Sequence, residues 1–151
     1  MEMFRAFLEE YVEFLEEVAA AEGEKHAALL SYDSKRVEKI SSNQQAINMR
    51  LAQMEKKRET EQERLGWGGL TFREIFEQMD AAVQNQFVEI FERFARAVSD
   101  IKYFNKKSII FAQDGLQALG VVEENSGSAA YGADGKRTND GTGPVLFETK
   151  I

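Results

Sequence analysis

The chain has no cysteine, one proline, one histidine, and no apolar run near the ~20 residues a membrane-spanning helix requires. Each absence removes a class of protein. Without cysteine there is no disulfide framework and no thiolate metal site, and the composition fits a reducing compartment. The single histidine, His26, leaves no imidazole pair for a metal. The Glu-x-x-His pairs of carboxylate di-iron bundles are missing, because Gly23 stands three residues before it. A histidine phosphotransfer module would follow its histidine with a Lys-Gly pair, and Leu29-Leu30 stand there instead. His26 is therefore read as a solvated helix residue. A net charge of −7 argues against a phosphate-binding basic face. Residues 1–14 lack the basic flank and apolar stretch of a secretory signal. The expectation is a soluble, cytoplasmic protein that is not an enzyme, with no cofactor, no metal and no nucleic-acid partner.

What the chain does have is helical periodicity. From Asp80 to Gly120 apolar side chains recur every three or four residues, through Val83, Phe87, Ile90, Phe94, Ala97 and Ile101 to Phe104 and Phe111. One helix over these positions would be about 60 Å long, more than a compact domain of this size needs. In the first segment Phe4, Leu8, Tyr11, Leu15 and Val18 form a coiled-coil-like seam, with glutamates on the wet side. A second seam runs through Val37, Ile40, Gln44, Ile47, Leu51 and Met54, with its phase shifted as a hairpin would shift it.

The punctuation agrees with that division. Asp33 or Ser34 can cap the second helix. Leu65-Gly66-Trp67-Gly68-Gly69 ends it, since glycine costs a helix about 1 kcal/mol relative to alanine. Thr71 with Glu74 forms a capping box that starts a short helix, Phe72 to Met79, and Gln84-Asn85-Gln86 suggests a bend before the long one. Residues 1–30 carry a charge of −6 and residues 31–65 a charge of +2, so the two halves of a hairpin would attract each other weakly. Beyond Gly120, the five glycines among residues 125–144 and their polar neighbours predict a flexible tail, interrupted by Tyr131 and by Val145-Leu146-Phe147.

The predicted architecture is all-α. Residues 2–30 form an antiparallel hairpin with 34–65, and the helix from about 82 to 120 packs alongside in a three-helix coiled-coil-like bundle. That gives a helical domain over 1–120 and a flexible tail over 121–151. Phe91 and Val88 lie off the main seam of the long helix, and this second apolar face suggests a partner protein.

Several of these residues together resemble the FlgN family of flagellar type III export chaperones. Phe104-Asn105-Lys106-Lys107-Ser108, followed by Phe111-Ala112 and Leu116, looks like the family's C-terminal helix motif, with Ser108 where a second asparagine is usual. Glu22, Leu29, Asp33, Val37, Ile40, Ile47 and Arg58 are similar to its first hairpin, with Gln44 where a lysine is common. Tyr131-Gly132-Ala133-Asp134-Gly135 resembles its tail motif. The resemblance implies a chaperone that binds the C-terminal segments of the hook-filament junction proteins, the first and third hook-associated proteins, and keeps them unpolymerised. Phe104, Asn105, Ser108, Phe111, Ala112 and Leu116 would hold that substrate. Tyr131 and Gly132 would dock on the export-gate protein FlhA. The other reading is a structural coiled-coil subunit that forms a homo-oligomer.

Overall fold

A computed structural model describes residues 1–118 and residue 120 of the chain. The tail expected over 121–151, with Tyr131, Gly132 and Val145-Leu146-Phe147, lies outside the described residues. Four helices follow in order: α1 (Glu2–Ser31), α2 (Ser34–Arg64), α3 (Phe72–Gln78) and α4 (Ala81–Ala118). Among the described residues there is no strand. The all-α architecture, the hairpin and the long final helix match the periodicity, with ends displaced by a residue or two. No helix among the described residues is long and apolar enough to cross a membrane.

The boundaries have local causes. Tyr32 ends α1 in the left-handed conformation (φ 55°), and its N–H bonds to the Leu29 carbonyl. The Asp33 carboxylate then accepts from the amides of Lys35 and Arg36 and starts α2. At the other end of α2, Gly66 takes φ 80°. Its N–H bonds to the Glu63 carbonyl, and that of Trp67 reaches back to Gln62 at 2.7 Å. This pair of bonds is a Schellman closure, which needs a residue indifferent to positive φ. Thr71 and Glu74 form the reciprocal cap expected of them. The break between α3 and α4 falls at Met79, whose backbone is extended (ψ 147°), and the Gln84 amide ties α4 to the Phe76 carbonyl of α3.

Chain direction follows from the pairings. Glu10 meets Lys57 while Glu17 meets Arg50, so α1 and α2 are antiparallel. Phe4 faces Phe87, Tyr11 faces Phe94 and Gly23 lies against Phe104, so α1 and α4 are parallel. Since α2 returns the chain to the start of α1, α4 must begin there as well. Among the described residues no Cα of α2 comes within 8 Å of one in α4. Both helices lean on α1, which is the shared strut.

The hydrophobic core sits almost wholly at one end. It contains the first five turns of α1, Leu51 and Met54 of α2, Phe72 and Ile75 of α3, and α4 as far as Ile101. Aromatic rings fill it edge to face: Phe72 against Phe94 at 4.7 Å, Tyr11 against Phe94 at 5.3 Å, and Trp67 against Phe4 at 5.4 Å. Two expectations change here. The two hairpin helices do not cover each other along their length, because no residue of α2 before Leu51 is buried. The seam of α2 is too thinly apolar there, with Ser41, Asn43, Gln44 and Gln45 between Ile40 and Ile47. Nor does Phe91 await an outside partner, since it packs on Phe76 and Phe72 of α3.

A polar network crosses the closed end beneath these rings. Arg58 and Gln62 are buried, at 3% and 1% exposure. The Tyr11 hydroxyl donates to Glu55, whose carboxylate also takes Arg58 at 2.8 Å. Arg58 donates in turn to the Gln62 side-chain oxygen, and Gln62 donates to the Leu70 carbonyl at 3.0 Å. The guanidinium lies over the Phe72 ring, 5.7 Å from its centroid. Burial, with the Glu55 charge beside it, raises the Tyr11 phenol well above its ordinary pKa and keeps it a donor. Arg58→Ala strands Gln62 and removes a packed side chain, so urea unfolding is expected to show a loss of about 2–4 kcal/mol. Arg73→Ala, which breaks only an exposed pair with Glu77, is expected to cost less than about 0.5 kcal/mol.

Candidate functional surface

Past Ile101 the bundle opens. On α4 only Ser108 is buried beyond that point, and on α1 only Glu22 and Ala28 are buried beyond Ala19. The apolar pattern of α4 nevertheless continues, so its last turns carry side chains that the chain itself covers only in part. Tyr103 is 56% exposed, Ile110 41% and Leu116 44%. At the facing end of the hairpin, Leu30 is 49% and Tyr32 84% exposed. A cleft also lies between α1 and α2. It is a hollow of about 340 Å³, floored by Phe14 and Val18 and walled by Asn43, Ala46 and Ile47.

The structure separates the residues that the resemblance gathered into one motif. Phe104 is half-buried on α1, with its ring at 3.5 Å from the position a Cβ on Gly23 would occupy and 6.4 Å from His26. Phe111 is also half-buried, 5.8 Å from Tyr32. Asn105 is half-buried as well, while Ala112 and Leu116 are exposed. Ser108 turns inward at 5% exposure, so its hydroxyl does not reach the outer surface of the helix. His26 is not simply solvated, since it is half-buried against Phe104 with its Nδ1 enclosed.

Two members of the exposed surface carried no clear mark in the sequence. Tyr32 stands in a turn. Its contact with Phe111 exists only because α1 and α4 run parallel, in a register that brings the end of α1 level with Phe111. Tyr103 was hidden beside Phe104, whose ring it meets at 5.3 Å. Helical spacing puts Tyr103, Lys107 and Ile110 in one outward row next to the row of Phe104 and Phe111. The Lys107 ammonium rests 5.7 Å from the centre of the Tyr103 ring.

The electrostatics divide in the same way. At the closed half, Arg93 bonds Glu16 through two nitrogens and holds its carboxyl below the ordinary glutamate range. Arg50 and Lys57 take Glu17 and Glu10. Among the described residues, no such carboxylate lies within salt-bridge distance of Lys35, Arg36, Lys39, Lys102, Lys106 or Lys107. The open end therefore combines apolar rings with cations that stand in no ion pair, beside the exposed carboxylates of Glu24, Asp33, Glu38 and Asp114, on a chain that is acidic overall. Among the described residues no group of three His, Cys, Asp or Glu side chains could hold a metal ion. This arrangement suits the reception of another polypeptide.

No protein-family model matches the chain, and neither a curated protein nor a solved structure matches it.

Among the described residues the Ser108 Oγ is enclosed without a hydrogen-bond partner. Leaving a buried hydroxyl unpaired costs about 1–3 kcal/mol, and Ser108→Ala removes it at almost constant volume. Thermal unfolding followed by circular dichroism is expected to show a stability gain of about 1 kcal/mol. A loss would mean that the hydroxyl is serving a contact within the fold.

Proposed function

We propose that the chain is an export chaperone of the FlgN kind. It captures the C-terminal segments of hook-filament junction proteins on the open end of α4 and delivers them to the export gate through Tyr131 and Gly132. The observation that supports this reading is the surplus of apolar surface on residues 103–116, the stretch that the sequence resemblance assigns to substrate. The fold does not need that surface, because its core is complete by Ile101. An amphipathic helix laid along α4 would bury it. Shielding a segment made for polymerisation requires no more than such a groove and enough rigidity to hold its shape. The closed end supplies the rigidity.

Two variants test the two halves of the reading. Phe111→Asp lies outside the core cluster and is expected to change stability by less than about 1 kcal/mol. It is also expected to lower capture of a co-expressed junction-protein segment by about 2 kcal/mol or more, the worth of an aromatic anchor. If the unliganded chain proves oligomeric and Phe111→Asp splits it, the surface belongs to a second copy and the structural coiled-coil reading takes over.

Tyr131→Ala is expected to leave folding and substrate capture unchanged. Titration of the loaded chaperone against the isolated gate domain is expected to weaken by about 1–3 kcal/mol. Equal affinities would remove Tyr131 from the delivery step.

A further inference from the structure

The charge around the open end says something about the partner that the apolar surface does not. The outward row of Tyr103, Lys107 and Ile110 is flanked by Lys106 on the same helix. Its inner neighbour Phe111 carries the Tyr32 ring of the α1/α2 turn. Lys35 and Arg36, in the first turn of α2, lie three and four residues beyond Tyr32 and are exposed. Residues 101–118 hold Lys102, Lys106 and Lys107 against Asp114 alone. Elsewhere among the described residues most surface cations are paired: Arg5, Arg50, Lys57, Arg64, Arg73 and the half-buried Arg93 each hold a glutamate within 3.2 Å. Lys56 and Arg96 also stand outside any ion pair, so six of the eight such side chains among the described residues are gathered where the exposed rings are.

Tyr32 adds an independent observation. Its φ of 55° is a conformation that glycine adopts freely and a side chain adopts at a cost. This strained position carries an aromatic ring that is 84% exposed and leans on Phe111. The ring extends the apolar strip of α4 across onto the hairpin turn, beside the cations of α2.

We propose that the strip of Tyr32, Phe111, Tyr103 and Ile110 receives an acidic amphipathic helix of another protein, whose carboxylates pair with Arg36, Lys106 and Lys107. The inference rests on the capture reading above and adds the chemical class of what is captured. From Tyr103 to Asp114 the row is about 16 Å long, which matches roughly three turns of a partner helix. The positive charge there sorts partners by sign more than it adds affinity. An anionic membrane surface is disfavoured, because a flat bilayer would also face the acidic remainder of a chain of net charge −7. A narrow helix meets only the local charge.

The test uses the full chain and two fluorescent synthetic helices of about 18 residues with the same leucine stripe at i, i+3, i+4 and i+7. One is flanked by glutamate and the other by lysine. By anisotropy, the glutamate helix is expected to bind at least about tenfold more tightly, and the advantage is expected to shrink at about 0.5 M salt. Lys106→Glu with Lys107→Glu is expected to reverse the preference, and Tyr103→Ser with Ile110→Ser to remove binding of both helices. All four positions are exposed, so melting curves are expected to be unchanged. Equal affinity for the two helices would overturn the proposal, as would a glutamate preference that survives the charge reversal. It would also be overturned by a wild-type dimer that Ile110→Ser splits, or by phosphatidylserine vesicles binding in place of the helices. If junction-protein segments fail to bind while the glutamate preference holds, the export reading falls and this inference stands. If they bind regardless of the charge reversal, the inference falls and the export reading stands.

Discussion

The fold turns on Arg58, a buried guanidinium shared between a carboxylate, an amide and an aromatic face. Isolated in the interior such a charge would be untenable, but here Glu55 neutralises it, Gln62 accepts from it and Phe72 lies beneath it. The same network reaches α1 through the Tyr11 hydroxyl and the glycine loop through the Leu70 carbonyl. Four separate pieces of chain are thus fixed at one end of the bundle: α1, the last turns of α2, the loop and α3. Arginine's fork geometry matters, because a point charge could not serve these partners at once.

Everything at that end follows from the closure. With α2 turned back and its last carbonyls satisfied by Gly66 and Trp67, the chain restarts beside Phe4, where Trp67 packs. α4 then has no option but to run parallel to α1. Its apolar row meets the α1 seam turn by turn until Ile101, and there the facing residues of α1 change character. Ala19 gives way to Glu22, Gly23 and His26, which offer α4 a carboxylate, no side chain and an imidazole. The core stops because α1 stops supplying it, not because α4 does.

This mismatch between two apolar seams, that of α1 ending at Ala19 while that of α4 runs on, creates the surface on which the functional proposals rest. α4 remains apolar for several turns beyond the point at which α1 can cover it, and α2 stands on the far side of α1. The exposed surface costs the fold little, since stability is concentrated elsewhere. It leaves rings and cations ready for a second polypeptide. The enclosed Ser108 and His26 atoms without partners sit at this same transition, where a well-packed apolar interface gives way to one with unpaired polar groups.

The sequence by itself determined the elements and their limits. Three- and four-residue spacing, Asp33, the Thr71–Glu74 pair and the glycines after Leu65 are local signals, each acting through hydrogen bonds or dihedral preferences within a few residues. They were legible because helix formation and helix termination are short-range. The hairpin too could be read, from a phase shift and complementary charge. Only the tertiary structure decided which helices touch. Nothing in the spacing marked Arg58 and Gln62 for burial until the loop folded over them, and Trp67 stood among glycines that mark only the end of a helix. Phe91 looked like a docking residue until α3 took it. Tyr32 joined Phe111 because the parallel register of α1 and α4 brings the end of α1 level with that turn of α4. Burial of a long polar side chain depends on partners that no periodicity encodes, and the open face of α4 was set by the reach of α1.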